Sequence, residues 1–248
     1  MLELTYDDCF ESPDEKLEHS LLMQRSKNAG EFEDGLNAGP DELDDPKDSL
    51  SFLNLKRGLG THDYIGQRVH QIASILRNLT FMEENLPTLV RNRSLIRFLV
   101  MCSNIRWSNL HHMGLDMLGN VAPELELSDP SSDDLTRCIL STVTDGLESP
   151  DRGVVISCLE ILYKLCQKEC NEDHLNKCLD KRVYEQICLF LSLNDIMLLL
   201  YTLECIYALT ALGEKACLTI VHVNGVIDSL VSLISVEVNT KAHNTIKS

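Results

Sequence analysis

The chain has 248 residues, 44% of them hydrophobic but only 5% aromatic, and a formal net charge of −16. That length can bury a core without disulfides or metal, and an interior poor in aromatic rings must be built from Leu, Ile, Val, Ala and Met, which suits helix packed on helix. Lys and Arg number 22 against 38 Asp and Glu, which excludes a protein that recognises a phosphate backbone through surplus positive charge.

Residues 1–58 read as an acidic, largely disordered arm. The first 50 residues hold 15 Asp and Glu against 4 Lys and Arg, a net of −11, and Gly and Pro interrupt every periodic run. A short helix around Glu15 to Arg25 is possible, because Leu17, Leu21 and Leu22 share a face. Ten cysteines, none in a C-x-x-C pair, and an acidic start without an apolar signal segment point to free thiols in a reducing compartment, the nucleus or cytosol. The apolar run Ile196 to Leu200 is far shorter than the about 20 residues a bilayer needs, so no membrane is expected.

From Ile65 onward apolar residues recur at three- and four-residue intervals, with no run of period two. The expected helices lie near 65–80, 84–91, 93–102, 107–122, 132–147, 151–168, 172–179, 182–192, 194–212, 214–221 and 223–235. Ser132, Ser149-Pro150-Asp151 and Asn194-Asp195 supply capping signals. Residues 238–248 are expected to be a frayed tail.

Within residues 59–237 the chain resembles itself. Ile75-Leu76-Arg77-Asn78-Leu79, Met117-Leu118-Gly119-Asn120-Val121, Ile161-Leu162-Tyr163-Lys164-Leu165 and Cys205-Ile206-Tyr207-Ala208-Leu209 align without gaps. Steps of 42, 44 and 44 residues separate Leu76, Leu118, Leu162 and Ile206, within the roughly 40 to 47 residue period of armadillo and HEAT units. The expected fold is therefore all-α, an armadillo/HEAT-like right-handed superhelical solenoid of about four repeats. One unit cannot bury its apolar face alone, and a stack of four can.

The run Asp63 to Phe81, with Asn92-Arg93-Ser94-Leu95-Ile96-Arg97-Phe98-Leu99 and Gly114-Leu115-Asp116-Met117-Leu118-Gly119-Asn120, resembles the armadillo-like region of the AT-rich-interaction-domain subunit of polybromo-containing SWI/SNF chromatin remodellers. The similarity covers about Leu59 to Glu237. It implies a nuclear scaffold that holds other subunits of the remodeller, including the N-terminal helices of its ATPase. Relatives of that kind also carry an AT-rich interaction domain, a winged-helix-like domain and zinc fingers. None is read here, so no direct DNA binding is assigned to this segment. A free-standing armadillo adaptor that captures peptide motifs remains the alternative.

No catalytic residue, no cofactor and no metal is expected. Cys166, Cys170, His174 and Cys178 step by four residues, but on one straight helix the outer two would stand about 18 Å apart. His70 and His111-His112 lack a nucleophile placed beside them, and Gly58-Leu59-Gly60 lacks the strand and third glycine of a phosphate cradle. Asn78 and Asn120 occupy the position at which many peptide-binding armadillo proteins hold a peptide backbone, but Lys164 and Ala208 follow them. Four residues earlier lie Ser74, Asp116, Glu160 and Glu204. Three carboxylates at one repeat position, flanked by Tyr163 and Tyr207, suggest a row that receives Lys and Arg from a basic partner helix. An ordinary solvated face reads equally well.

Overall fold

The computed structural model describes residues 64–234. The acidic arm with its expected helix near Glu15 to Arg25, the Gly58-Leu59-Gly60 sequence and the expected tail at 238–248 lie outside the described residues. Among the described residues all regular structure is helical, with no strand. In chain order come α1 (Tyr64–Thr80), a 3-10 turn running into α2 (Leu86–Leu89), α3 (Arg93–Ser103), α4 (Ser108–Val121), α5 (Asp134–Leu147), α6 (Arg152–Cys166), α7 (Glu172–Cys178), α8 (Lys181–Leu189), α9 (Ile196–Thr210), α10 (Glu214–Val221) and α11 (Val226–Ile234). Each expected helix is present, with ends shifted by a few residues.

The starts follow from side-chain caps. Asn92, Asp151, Asp180 and Asp195 each accept a hydrogen bond from a backbone N–H two or three residues on, satisfying donors that a first turn leaves open. At α5 the cap is Asp133 and not Ser132. The Asp133 carboxylate accepts from Thr136 N at 3.1 Å and Thr136 Oγ1 at 2.7 Å, whereas Ser132 Oγ donates back to the Asp129 carbonyl. Gly213, at φ +96°, makes the left-handed turn between α9 and α10.

Packing follows the sequence period. Helices α1, α4, α6 and α9 contact one another in series, and α3, α5 and α8 pack against α4, α6 and α9 respectively. Helices α3, α5 and α8 also touch in succession, so the described residues form two helical layers with the core between them. Leu76, Leu118, Leu162 and Ile206, the second residues of the four self-similar segments, are all buried there. We call α1, α4, α6 and α9 the third helices, from their place in the sequence register; α4 and α9 each follow a short and a middle helix, α6 follows the middle helix α5, and α1 is the first helix among the described residues. The last three begin at Ser108, Arg152 and Ile196, at 44-residue steps.

Candidate interaction surface

The polar residues singled out by the repeat register do lie along the third helices, but most are engaged within the chain. Asp116 on α4 accepts from Arg77 on α1, at 2.9 Å from Nε and 2.8 Å from Nη2. Asn120 Nδ2 donates to Thr80 Oγ1 at 2.9 Å. Lys164 on α6 donates to the Gly119 carbonyl of α4 at 2.9 Å and to Glu160 at 2.6 Å. Ser74 Oγ donates to the His70 carbonyl of its own helix. Helices α4 and α6 thus each reach back to the preceding third helix through one or two polar side chains. The pairs are part-exposed, so each contributes at most about 1 kcal/mol.

That leaves an uneven row. Asn78 is exposed, Ala208 is buried, and Tyr163 is half-buried against the core. Burial, and then the charges of Glu160 and Glu204, push the Tyr201 phenol above its ordinary value, so two rungs of the carboxylate row share one neighbourhood. Among the described residues Glu204 has no cation at ion-pair distance, while Asp116 and Glu160 do. Tyr207, one turn further along α9, is 78% exposed.

Large apolar side chains are exposed at the two ends of the stack. Ile75, Leu79 and Met82 line the outer side of α1 and the turn after it. At the other end Ile196, Leu200 and Tyr207 line α9, while Ile227, Val231 and Ile234 line α11. Both sets recur at helical spacing.

The cysteines and histidines behave as core and surface groups. Cys166, Cys170, His174 and Cys178 are spread over α6, the following 3-10 turn and α7, and no group of His, Cys, Asp or Glu among the described residues is arranged to hold a metal. His70 stacks on Trp107, with ring centroids 5.6 Å apart. His112 Nε2 lies 3.4 Å from the Asp151 carboxylate at the start of α6. Burial holds the His111 imidazole below its ordinary pKa. Burial also pushes the Cys158 and Cys166 thiols up to about 12, and those of Cys138 and Cys188 to about 11. A thiol so shifted carries almost no thiolate near neutrality. Maleimide applied to the native chain is therefore expected to label exposed Cys170 and Cys178 and to spare buried Cys102, Cys138, Cys158, Cys166, Cys188 and Cys205. Peptide mass mapping reads the pattern, and rapid native labelling of the buried six would contradict this packing.

Two structural residues carried no functional expectation. Asn171 is wholly buried, with its amide bonded to three backbone groups. Gly114 lets α4 approach the backbone of α3. The signal for Gly114 was present, a glycine inside an apolar helical run. Asn171 sat in a polar turn with nothing to distinguish it.

No family model matches the chain. It is 42% identical over 187 residues to mouse (Mus musculus) AT-rich interactive domain-containing protein 2, a match covering 75% of this chain. It is 33% identical over 196 residues to the Caenorhabditis elegans SWI/SNF chromatin remodeling complex subunit swsn-7, covering 77% of this chain. The chain has homologues among chromatin-remodelling subunits. It spans 10% and 15% of the length of these two relatives. Both names agree with the resemblance carried by Asp63 to Phe81, and remodelling of chromatin places such subunits in the nucleus, one of the two compartments its cysteines suggested. Among solved structures, a crystal structure of an engineered protein from the Northeast Structural Genomics Consortium superposes with a TM-score of 0.53. That likeness covers 71% of this chain and 68% of the other, at 16% identity, and concerns fold alone.

Proposed function

We propose that this chain is a non-catalytic interaction scaffold of a nuclear SWI/SNF-type chromatin-remodelling complex. In this reading residues 59–237 form an armadillo/HEAT-like right-handed solenoid, with residues 1–58 as an acidic arm and 238–248 as a tail. The identity to a worm remodelling-complex subunit over 77% of the chain carries the assignment. The serial contact of α1, α4, α6 and α9 at steps of 42, 44 and 44 residues supports the solenoid. The partners are other subunits of the complex, including the N-terminal helices of the ATPase. Duplex DNA is not a ligand of this segment, because its charge deficit removes the counterion-release contribution on which such binding depends.

The partner surface proposed is the polar row of the third helices: Ser74, Asn78, Asp116, Asn120, Glu160, Tyr163, Glu204 and Tyr207. Its accessible centre is Glu204 with Tyr207, because Arg77 and Lys164 already satisfy Asp116 and Glu160. A Lys or Arg of a basic partner helix would meet an unneutralised carboxylate there, and its aliphatic stem an exposed ring. The full chain carrying Glu204→Gln and Tyr207→Ala is expected to keep its thermal unfolding but recover fewer remodeller subunits from nuclear-extract purification, with the deficit against the parent largest at low salt, where the removed charge is least screened. Each exposed charge contributes about 1 kcal/mol or less. Asp116→Asn with Glu160→Gln should change recovery little. Unchanged recovery of the first variant across the salt series would move the interface to the other layer. Many substoichiometric clients in place of remodeller subunits would instead favour the free-standing adaptor.

A further inference from the structure

Capping accounts for Asp151 in the turn between α5 and α6, but not for the residues around it. The chain has seven prolines, and two of them follow a hydroxyl residue, in Ser12-Pro13-Asp14-Glu15 and Ser149-Pro150-Asp151-Arg152. Only the second has a base three residues after the serine, where the first has an acid. That pattern has a physical reader. A kinase whose pocket beyond the acceptor residue offers no hydrogen-bond acceptor selects proline there, since any other residue would strand an N–H. Carboxylates further along its cleft select a base.

The turn presents this run to solvent. Residues 149–151 lie between the two helices, and Asp151 is extended, at φ −85° and ψ 112°. Proline also biases Ser149 toward extended backbone, the form in which a kinase cleft holds its substrate. Ser149 is half-buried, while Pro150, Asp151 and Arg152 are exposed. Ser149 Oγ accepts from Asp151 N at 3.1 Å, a bond that does not use the hydroxyl hydrogen. Arg152 is already engaged. Its guanidinium bonds the Asp195 carboxylate at the start of α9 through Nε and, at 3.0 Å, through Nη2. That bond holds the Asp195 carboxyl well below the usual carboxylate range. The Arg152 side chain is nonetheless 56% exposed, so a second carboxylate can reach it by competing with Asp195.

We propose that Ser149 is a phosphorylation site for a proline-directed serine kinase that reads a base three residues on, and that the ion pair of Arg152 with Asp195 restrains its use. ATP is the donor. Ser149 Oγ attacks the γ-phosphorus, the bond from that phosphorus to the β,γ-bridging oxygen breaks, ADP leaves, and the hydroxyl proton passes to the catalytic carboxylate of the kinase. The product sets a phosphate dianion three residues before Arg152. There it competes with Asp195 for the guanidinium that ties α6 to α9.

The test uses the full chain with Ser12→Ala, which leaves Ser149 as the one Ser-Pro acceptor, incubated with a cyclin-dependent kinase and magnesium ATP. One phosphate is expected, mapped to Ser149 by peptide mass spectrometry and absent from Ser149→Ala. Pro150→Ala and Arg152→Gln should each lower kcat/KM for the chain at least about tenfold. Asp195→Asn keeps a capping residue but removes the competing charge, and should raise kcat/KM about threefold, as expected for release of an exposed ion pair. Far-UV circular dichroism checks that each variant is folded. A folded chain that takes no phosphate at Ser149, while the same kinase modifies a Ser-Pro-x-Lys control peptide, would overturn the site. Equal kcat/KM with and without Asp195→Asn would overturn the restraint by the ion pair.

Discussion

Gly114→Ala is expected to destabilise the folded chain by about 3 kcal/mol, the upper part of the usual range for overpacking a well-filled core. A Cβ at that position would lie 2.4 Å from Ser103 N and 2.6 Å from Cys102 C. Both are backbone atoms at the end of α3, so no side chain can rotate away and the two helices must separate. Intrinsic helix propensity works the other way, favouring Ala by about 1 kcal/mol, so the sign of the result discriminates between the two effects. Two other helical glycines calibrate it. A Cβ at Gly146 would meet Cys158 Sγ at 2.3 Å, a side-chain atom that can shift, and one at Gly119 would meet Ile161 Cγ1 at 3.6 Å, an ordinary contact. The expected order of urea midpoints is Gly119→Ala at or above the parent, Gly146→Ala below it and Gly114→Ala lowest. A neutral Gly114→Ala would mean that α3 and α4 do not approach so closely.

Helices and core were legible because both depend on period. Apolar residues at three- and four-residue spacing mark which face is buried, and recurrence at 42 to 44 residues brings Leu76, Leu118, Leu162 and Ile206 into register from the sequence alone. The engagement of the polar row was not legible. Asp116 is met by Arg77 and Glu160 by Lys164, and those cations sit at different repeat positions, so no single period predicts both. A carboxylate that recurs on one helix face looks the same in sequence whether it faces solvent or a neighbouring guanidinium. Glu204 differs from the other two only because the described residues bring no cation to it. Ser132 shows the same limit on a smaller scale: Ser132, Asp133 and Asp134 all suit a helix start, and only the doubled bond to Thr136 selects Asp133. Tyr163 and Tyr207 are likewise equivalent by register, but α9 and its neighbours cover the first and leave the second bare.

Replacing Asn171 with Leu should cost about 4 kcal/mol, although the side chains are similar in size and the site is fully buried. Asn171 Nδ2 donates to the carbonyls of Leu125 and Leu165, at 3.0 and 3.1 Å, and Oδ1 accepts from Leu127 N at 2.8 Å. One amide thus joins the end of α6 to the irregular segment that leads into α5, across 44 positions of sequence. Leucine would strand two carbonyls and one N–H in the interior, each costing about 1 to 3 kcal/mol, with partial relief where the segment loosens and admits water. Asn171→Asp should do no better, because a carboxylate cannot donate to either carbonyl and brings a charge into a site that excludes water. The damage should be local before it is global. Hydrogen exchange at Leu127 N and along the 125–133 segment is expected to accelerate under conditions where the amides of α3 and α4 stay protected. Urea unfolding gives the total cost. An Asn171→Leu chain with parental midpoint and parental protection at Leu127 would show that this amide does not hold the two units together.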